Sequence, residues 1–462
     1  MNVLVFGAGE NYWIYKKWLS GHKVVAILDN AKNLWYKQID GHEIVPPEDI
    51  AKYNYDRIYI LSSYVAEIKR QLLVLGIAEN KIFYTYRLYD LGVQPAISCY
   101  SGANSEAQSS KAHVLVFSHE LTLTGAPICL GYLISILVRK GFQVTVVSPT
   151  DGALRQGILD VGANVIVDEL LLVSDDINRQ YMKDYGVLVV NTLQLFYLLK
   201  KRDLQKKTIW WLHEPDCLYK YLPDGELCSL NRYNLDIYAV SEVARKAFLK
   251  QSLYSVSQVG LLPFGIPDEK RKNINRRSLA SNACITFIIV GGISKLKGHD
   301  ILLKAMQILR SLSDYNGKYK VLSIGDNQNT LAKQIMSEVD DAELALEFKG
   351  RLSHDVTIGM LEESDVVICA SREETMSAAI IEGMMLGKIC ITTDNTGIAD
   401  YIVDGKNGFI CNASDAQSLA NKIMYIMENY TDLSFIQSKA RETYEKYFSM
   451  TSFGHRVNEI FM

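Results

Sequence analysis

The chain has 462 residues, with 49 Lys and Arg against 52 Asp and Glu, for a net charge of −3 at neutral pH. At about 150 residues per domain this length predicts about three domains, each able to bury its own core, and 48% hydrophobic with 22% charged residues is a globular composition. A near-neutral balance argues against a nucleic-acid binder, which carries a basic excess, and the longest apolar run, Ile128 to Val138, is too short to span a bilayer. The opening MNVLVFGAGE has no basic stretch before its apolar run and does not read as a signal peptide. Eight cysteines without a C-x-x-C pair suggest neither a zinc ribbon nor a disulfide framework, and buried thiols in a reducing cytoplasm are expected.

In chain order, residues 2–9 form a β-branched run closing on glycines, a helical stretch follows from Tyr12 to Leu19, and 23–30 and 56–63 read as two more strands. This predicts a small Rossmann-like accessory domain over residues 1–97. Residues 98–111, rich in Ser, Gly and Asn and without apolar periodicity, read as a linker. The alternation then restarts, with strands at 113–118, 143–149, 164–169, 187–192, 208–214 and 236–241. A second series follows at 284–292, 319–326, 345–350, 365–371 and 388–393, with apolar helical patterns between, as at 299–312 and 378–387. Continuous apolar strands alternating with helices predict parallel sheets covered on both faces. The fold class is therefore α/β: two facing Rossmann-like domains, 112–270 and 271–435, behind the small N-terminal one. Residues 436–462 are expected as a helical segment packing back across the cleft.

Gly7, Gly9 and Asp29 are the accessory domain's candidate nucleotide-binding residues. The glycines stand between a strand and a helix, as in a dinucleotide fingerprint, and Asp29 ends the next strand, where a ribose-binding acid would sit. Tyr12 replaces the third glycine, so a structural turn or a docking domain is the competing reading. Tyr12-x-x-x-Lys16 matches a short-chain dehydrogenase pair only superficially, because it lies on the first helix.

The second half of the chain carries more chemistry. Glu374 lies in the turn after the apolar strand 365–371, and Glu382 lies eight residues further, inside a helix. At the helical rise eight residues cover about 12 Å, the span from a hexose to the ribose of a nucleoside diphosphate sugar. Helix N-terminal amides between them would face the diphosphate. Glu382 is embedded in AAIIEGMMLG, where an uncommitted carboxylate is costly to bury.

This stretch resembles the E-x7-E motif of the retaining family 4 (group 1) glycosyltransferases, which have the GT-B fold. The resemblance extends to the segments 290–306, 321–326 and 395–411, to the loop 117–127 and to LLPFGI at 261–266, and it covers about residues 112–435. Carried across, it assigns Lys297 to the donor diphosphate, Glu382 to the ribose hydroxyls and Glu374 to the donor sugar. His213 would lie near the transferred sugar, and Gly125 would let the backbone approach the reaction centre. Gly292, Met376 and Ser377 complete the donor-binding set, and His213, Glu374 and Lys297 the catalytic one. Two departures stand out: Gly292 occupies a position where the family often has Arg, and Glu374-Thr375-Met376-Ser377 replaces the usual E-x-F-G. A missing guanidinium removes a bidentate phosphate contact that Lys supplies only as a point charge.

The resemblance implies transfer of a sugar from a nucleoside diphosphate sugar to a saccharide acceptor, with retention of anomeric configuration. It implies no cofactor and no metal, in line with the lack of an Asp-x-Asp at a strand end. Family habit points to bacterial surface polysaccharide built on a lipid carrier, and so to a cytoplasmic protein with peripheral membrane contact. The basic clusters at 200–207 and 270–277 are candidates for that contact. Nucleic acid is not expected as a partner. Two rivals remain at this stage: a non-catalytic GT-B partner or chaperone subunit, and a nucleotide-sugar epimerase.

Overall fold

The structure, a computed structural model, describes residues 1–19, 21–62, 64–84, 97–103, 112–169, 171, 180–220, 222, 225–270, 284–315 and 317–461. It divides into two compact units, residues 1–238 with 246–260 and residues 239–245 with 261–462.

The first unit contains two sheets. The N-terminal one is built from β1 (Asn2–Phe6), β2 (Lys23–Leu28), β3 (Gln38–Ile39), β4 (His42–Val45), β5 (Arg57–Ile60) and β6 (Ile82–Tyr84), in the order β3-β4-β2-β1-β5-β6. All neighbours are parallel except the β3–β4 hairpin. Strand alternation sends Val3 and Val5 to one face, with Tyr12, and Leu4 and Phe6 to the other, with Ile68 and Leu72. A parallel sheet buried on both faces explains why these strands read as unbroken apolar runs.

The second sheet comprises β7 (Ile97–Tyr100), β8 (His113–Phe117), β9 (Gln143–Ser148), β10 (Asn164–Asp168), β11 (Val187–Asn191), β12 (Lys207–Leu212), β13 (Leu235–Ala239) and β14 (Val259–Leu261). Its order is β14-β13-β12-β11-β8-β9-β10-β7. β7 corrects the linker expected at 98–111: Ile97 to Tyr100 pair antiparallel with Asp168 to Val165. Three of its four side chains are exposed and the fourth, Tyr100, lies under the Arg155 guanidinium, so the backbone ladder does most to hold it and no apolar signal marks it in the sequence. Residues 104–111 lie outside the described residues. The two sheets are also joined by packing, since Tyr197, from the helix Phe196–Lys201, rests on the apolar cluster of Leu4, Phe6 and Ile60.

The second unit holds β15 (Ile285–Val290), β16 (Tyr319–Ile324), β17 (Leu346–Gly350), β18 (Val366–Cys369), β19 (Ile389–Thr393) and β20 (Phe409–Cys411), in the order β17-β16-β15-β18-β19-β20. Every neighbouring pair is parallel. One face packs under the helices His299–Ser311 and Ala416–Asn429, through Leu302, Met306, Leu419 and Ile423. The C-terminal helical segment starts at Ser434 and runs through a π-turn at Tyr444–Phe448 into the helix Met450–Phe461. It is fastened to the strap 263–268 of its own unit. Ile266 N–H donates to Phe448 O at 2.8 Å, Tyr444 Oη to Ile266 O at 3.0 Å, and Arg441 Nη1 to Asp268 Oδ1 at 2.9 Å.

Candidate functional site

In the second unit, two loops at the C-terminal ends of β15 and β18 bring the charged residues together. The loop after β15 carries Lys297, and the loop after β18 carries Glu374. Lys297 Nζ donates to both carboxylate oxygens of Glu374, at 2.6 and 2.7 Å, and Ser371 Oγ donates to Glu374 Oε2 at 2.8 Å. Arg372 locks the loops to each other, bidentate to Asp300 at 2.7 Å through both nitrogens, with its N–H on Leu296 O at 2.8 Å. Gly298 makes this approach possible: its φ is +71°, and a Cβ there would lie 1.8 Å from Ala370 O.

Glu374 is followed by the helix Ala378–Leu386, capped by Ser377, whose hydroxyl accepts from Ile380 N–H. The Ser377 and Met376 side chains are buried, so any ligand there would meet their backbone. Glu382 lies on the second turn, with its side chain 14% exposed. Burial pushes its carboxyl up to about 7; the His354 imidazole opposes the shift and Glu269 adds to it. At Gly292, the nearest atom to a Cβ would be Asp326 Cβ at 3.7 Å, so the backbone has room for a side chain.

In the first unit, β8, β11 and β12 end beside one another. His213 follows β12, and its ring centre lies 4.5 Å from that of Trp211. Burial, with His119 second, pushes its imidazole down to about 3, so it is neutral at pH 7. Glu214 is buried, with one carboxylate oxygen accepting from Leu193 N–H at 2.7 Å and the other from His213 N–H at 2.9 Å. It thereby ties the end of β11 to the end of β12, and burial lifts its carboxyl to about 7. His119 Nδ1 lies 3.4 Å from Thr192 Oγ1, and Glu120 accepts from Thr122 and Thr124 at 2.7 and 2.6 Å. Gly125 is the first residue of the helix Gly125–Arg139, and no heavy atom lies within 4 Å of where its Cβ would stand.

The N-terminal glycine motif has a structural explanation. Gly7 has φ +114°, and a Cβ there would lie 2.6 Å from Leu61 O. Asp29 spends both oxygens on the turn itself, accepting from Ala8 N–H and Ala31 N–H, each at 2.8 Å. Tyr12 fills the third-glycine position with a buried ring and donates to Asp40, which Lys16 also contacts, so both halves of the Tyr12–Lys16 pair converge on one carboxylate. Gly9 alone remains open, at the start of a helix of six residues.

The basic cluster at 200–207 is largely spent within the fold. Lys200 pairs with Glu226, buried Arg202 donates to three carbonyls, Lys206 donates to Lys183 O and Lys207 meets Asp236. Most of 270–277 lies outside the described residues. Four cysteines are buried as expected, but Cys99, Cys217, Cys228 and Cys284 are exposed. No helix among the described residues is long and apolar enough to cross a membrane.

Sequence reasoning missed Glu214, His119, Glu120, Glu269 and His354. The His-Glu pair at the end of an apolar strand could have flagged Glu214, since an acid beside buried aromatics needs partners. His354 gives no such signal, because it opens a helix on an exposed turn.

Three families describe the chain. A C2185-like N-terminal domain matches residues 1–83, a family 4 glycosyl-transferase domain residues 109–269, and the family of glycosyl transferases group 1 residues 270–446. The chain is 22% identical over 271 residues, 55% of its length, to a lipopolysaccharide 1,2-N-acetylglucosaminetransferase of Salmonella typhimurium. It is 26% identical over 227 residues, 46% of its length, to a capsular polysaccharide biosynthesis glycosyltransferase, CapM, of Staphylococcus aureus. The match spans 66% of the first relative and 58% of the second. The crystal structure of Anabaena HepE in complex with UDP-glucose superimposes with a TM-score of 0.61 at 17% identity, over 76% of this chain and 99% of that one, a likeness of fold. Residues 109–446 belong to the group 1, family 4 glycosyltransferases of GT-B fold, and a C2185-like domain precedes them.

Proposed function

We propose that the chain transfers a sugar from a nucleoside diphosphate sugar to a saccharide acceptor, with retention of anomeric configuration and without a resident metal. The observation that carries this reading is the Lys297–Glu374 pair at the mouth of a helix that bears Glu382 eight residues on. Diphosphate is a good leaving group only if its developing charge is met. Lys297 and the first amides of the helix Ala378–Leu386 would meet it by electrostatic preorganisation. Donor binding would exchange the Lys297–Glu374 contact for Lys297 on phosphate and Glu374 on the sugar hydroxyls, while Glu382 takes the ribose. His213, neutral by burial, keeps the sugar-proximal role that the resemblance assigns it, as an oriented hydrogen-bonding group and not a cation. In the step itself the acceptor oxygen bonds to the anomeric carbon, the bond to diphosphate breaks on the same face, and the acceptor proton passes to the departing phosphate oxygen. No enzyme nucleophile is required.

The lipopolysaccharide and capsule relatives support a bacterial surface saccharide as acceptor, and the reading extends to an acceptor carried on lipid at the cytoplasmic face of the membrane, as the family resemblance implies. A panel of nucleoside diphosphate sugars tested by calorimetry and for slow hydrolysis, with and without chelator, examines this reading. Binding of one donor that survives chelation, with release of the retained anomer, is expected. Failure of every donor to bind would leave a non-catalytic partner subunit as the better reading.

A further inference from the structure

Glu382 has a neighbour that the sequence did not single out. His354, half-exposed at the start of the helix His354–Glu363, lies between two carboxylates: Nε2 is 3.2 Å from Glu269 Oε1, and Nδ1 is 3.9 Å from Glu382 Oε1. Glu269 is fixed in its turn by its N–H on Met385 Sδ at 3.1 Å and by the clamp of Asp268 on Arg441. Three distant stretches of chain, the strap 263–270 and two helices, therefore meet at one imidazole. The other charges packed about the helix Ala378–Leu386 are committed elsewhere. Arg441 is held by Asp268, Glu445 and Met385 O, Lys388 donates to Glu362 O, and Lys297 lies on Glu374. The charges that act on Glu382 are those of His354 and Glu269.

A carboxylate that accepts from two ribose hydroxyls has to be ionised and held in one orientation, and burial works against the first requirement. We propose that His354, anchored by Glu269, is a positioning residue of the nucleoside subsite, its imidazolium standing against Glu382 Oε1 to keep that carboxylate charged and turned toward the ribose. This builds on the reading of Glu382 as the ribose ligand. It makes nucleotide affinity depend on the ionisation of Glu382.

The test uses the full chain and the tightest binder among the diphosphates of uridine, guanosine, adenosine, cytidine and thymidine. Affinity is measured by calorimetry from pH 5.5 to 8.5 for wild type, His354→Gln, His354→Arg and Glu382→Gln. The nucleotide's own titration is common to all four. Removing the cation in His354→Gln should move the acid-side loss of affinity to higher pH. Binding should then be about three- to tenfold weaker near pH 6.5, since moving that limb by a full pH unit changes the ionised fraction about tenfold. His354→Arg, with a permanent charge, should move the limb to lower pH, an outcome that loss of packing would not produce. Superimposable profiles for wild type and both His354 variants, with Glu382→Gln weakened, would overturn the inference alone. Unchanged binding in Glu382→Gln, or no binding by any diphosphate, would overturn the ribose reading and the inference with it.

Discussion

Glu382→Gln separates what the candidate site costs the fold from what it does. Burial raises the Glu382 carboxyl from 4.5 to about 7, so over that interval the folded chain keeps a proton that the unfolded chain has released. A raised acid contributes most to stability below its unfolded value, and that contribution is lost as pH climbs through the folded value. At about 1.4 kcal/mol for each tenfold change in ionisation, charged Glu382 costs the folded state about 3 kcal/mol above pH 7. Gln carries no charge at any pH and escapes this cost. Wild type and variant should therefore match near pH 4.5 in urea unfolding. By pH 8.5 the variant should be more stable by about 1 to 3 kcal/mol, the lower figure applying where water reaching the carboxylate relieves part of the burial cost. The same substitution should weaken nucleotide binding, giving a chain that is firmer and less able. A variant that is less stable than wild type at pH 8.5, or a stability difference that does not change with pH, would refute the reasoning.

Three other perturbations probe the same architecture. Lys297→Ala removes the cation from both oxygens of Glu374 and should weaken donor binding about ten- to a hundredfold, the range for a charged hydrogen bond, as read by calorimetry. Gly292→Arg should raise donor affinity severalfold with little change in melting temperature, because the site has room for a Cβ; a large drop in melting temperature would show that the backbone does not admit it. A chain beginning at residue 112 loses β7 and bares the edge of β10, so calorimetric scanning should find it less stable than one beginning at residue 97.

The sequence made the longer buried strands of the three mainly parallel sheets legible, because residues such as Val114 to Phe117 and Val366 to Cys369 are apolar on both faces. It did not show β7, most of whose side chains are exposed, nor the short β3, β4, β6, β14 and β20, runs of two to four residues too brief to carry a pattern. The spacing of Glu374 and Glu382 was legible because a turn and a helix of known rise connect them. The ion pair between Lys297 and Glu374 was not, since it depends on loops 77 residues apart being brought together by Gly298. The glycine motif at the N-terminus is open to two readings for a physical reason. A tight strand-to-helix turn needs Gly7 and an acid on its amides whether or not a nucleotide ever visits, and Asp29 serves that turn.

The strap 263–268 and the segment 441–456 also set an order of assembly. Their hydrogen bonds join residues 173 to 193 positions apart, and they secure an early stretch of the second unit to almost its last. Contacts of such separation form late, because a long loop has to close before they gain anything. During synthesis, at about 5–20 residues per second, the strap waits on the order of ten seconds or more for its partner to be made. The β15–β20 sheet can assemble in that interval while its outer tie is still missing. Truncations that remove everything from residue 441 onward should therefore leave a nascent chain with a formed sheet and an unfastened strap, a species in which Phe264 and Ile266, buried in the folded chain, become accessible and would suit chaperone capture more than ligand binding.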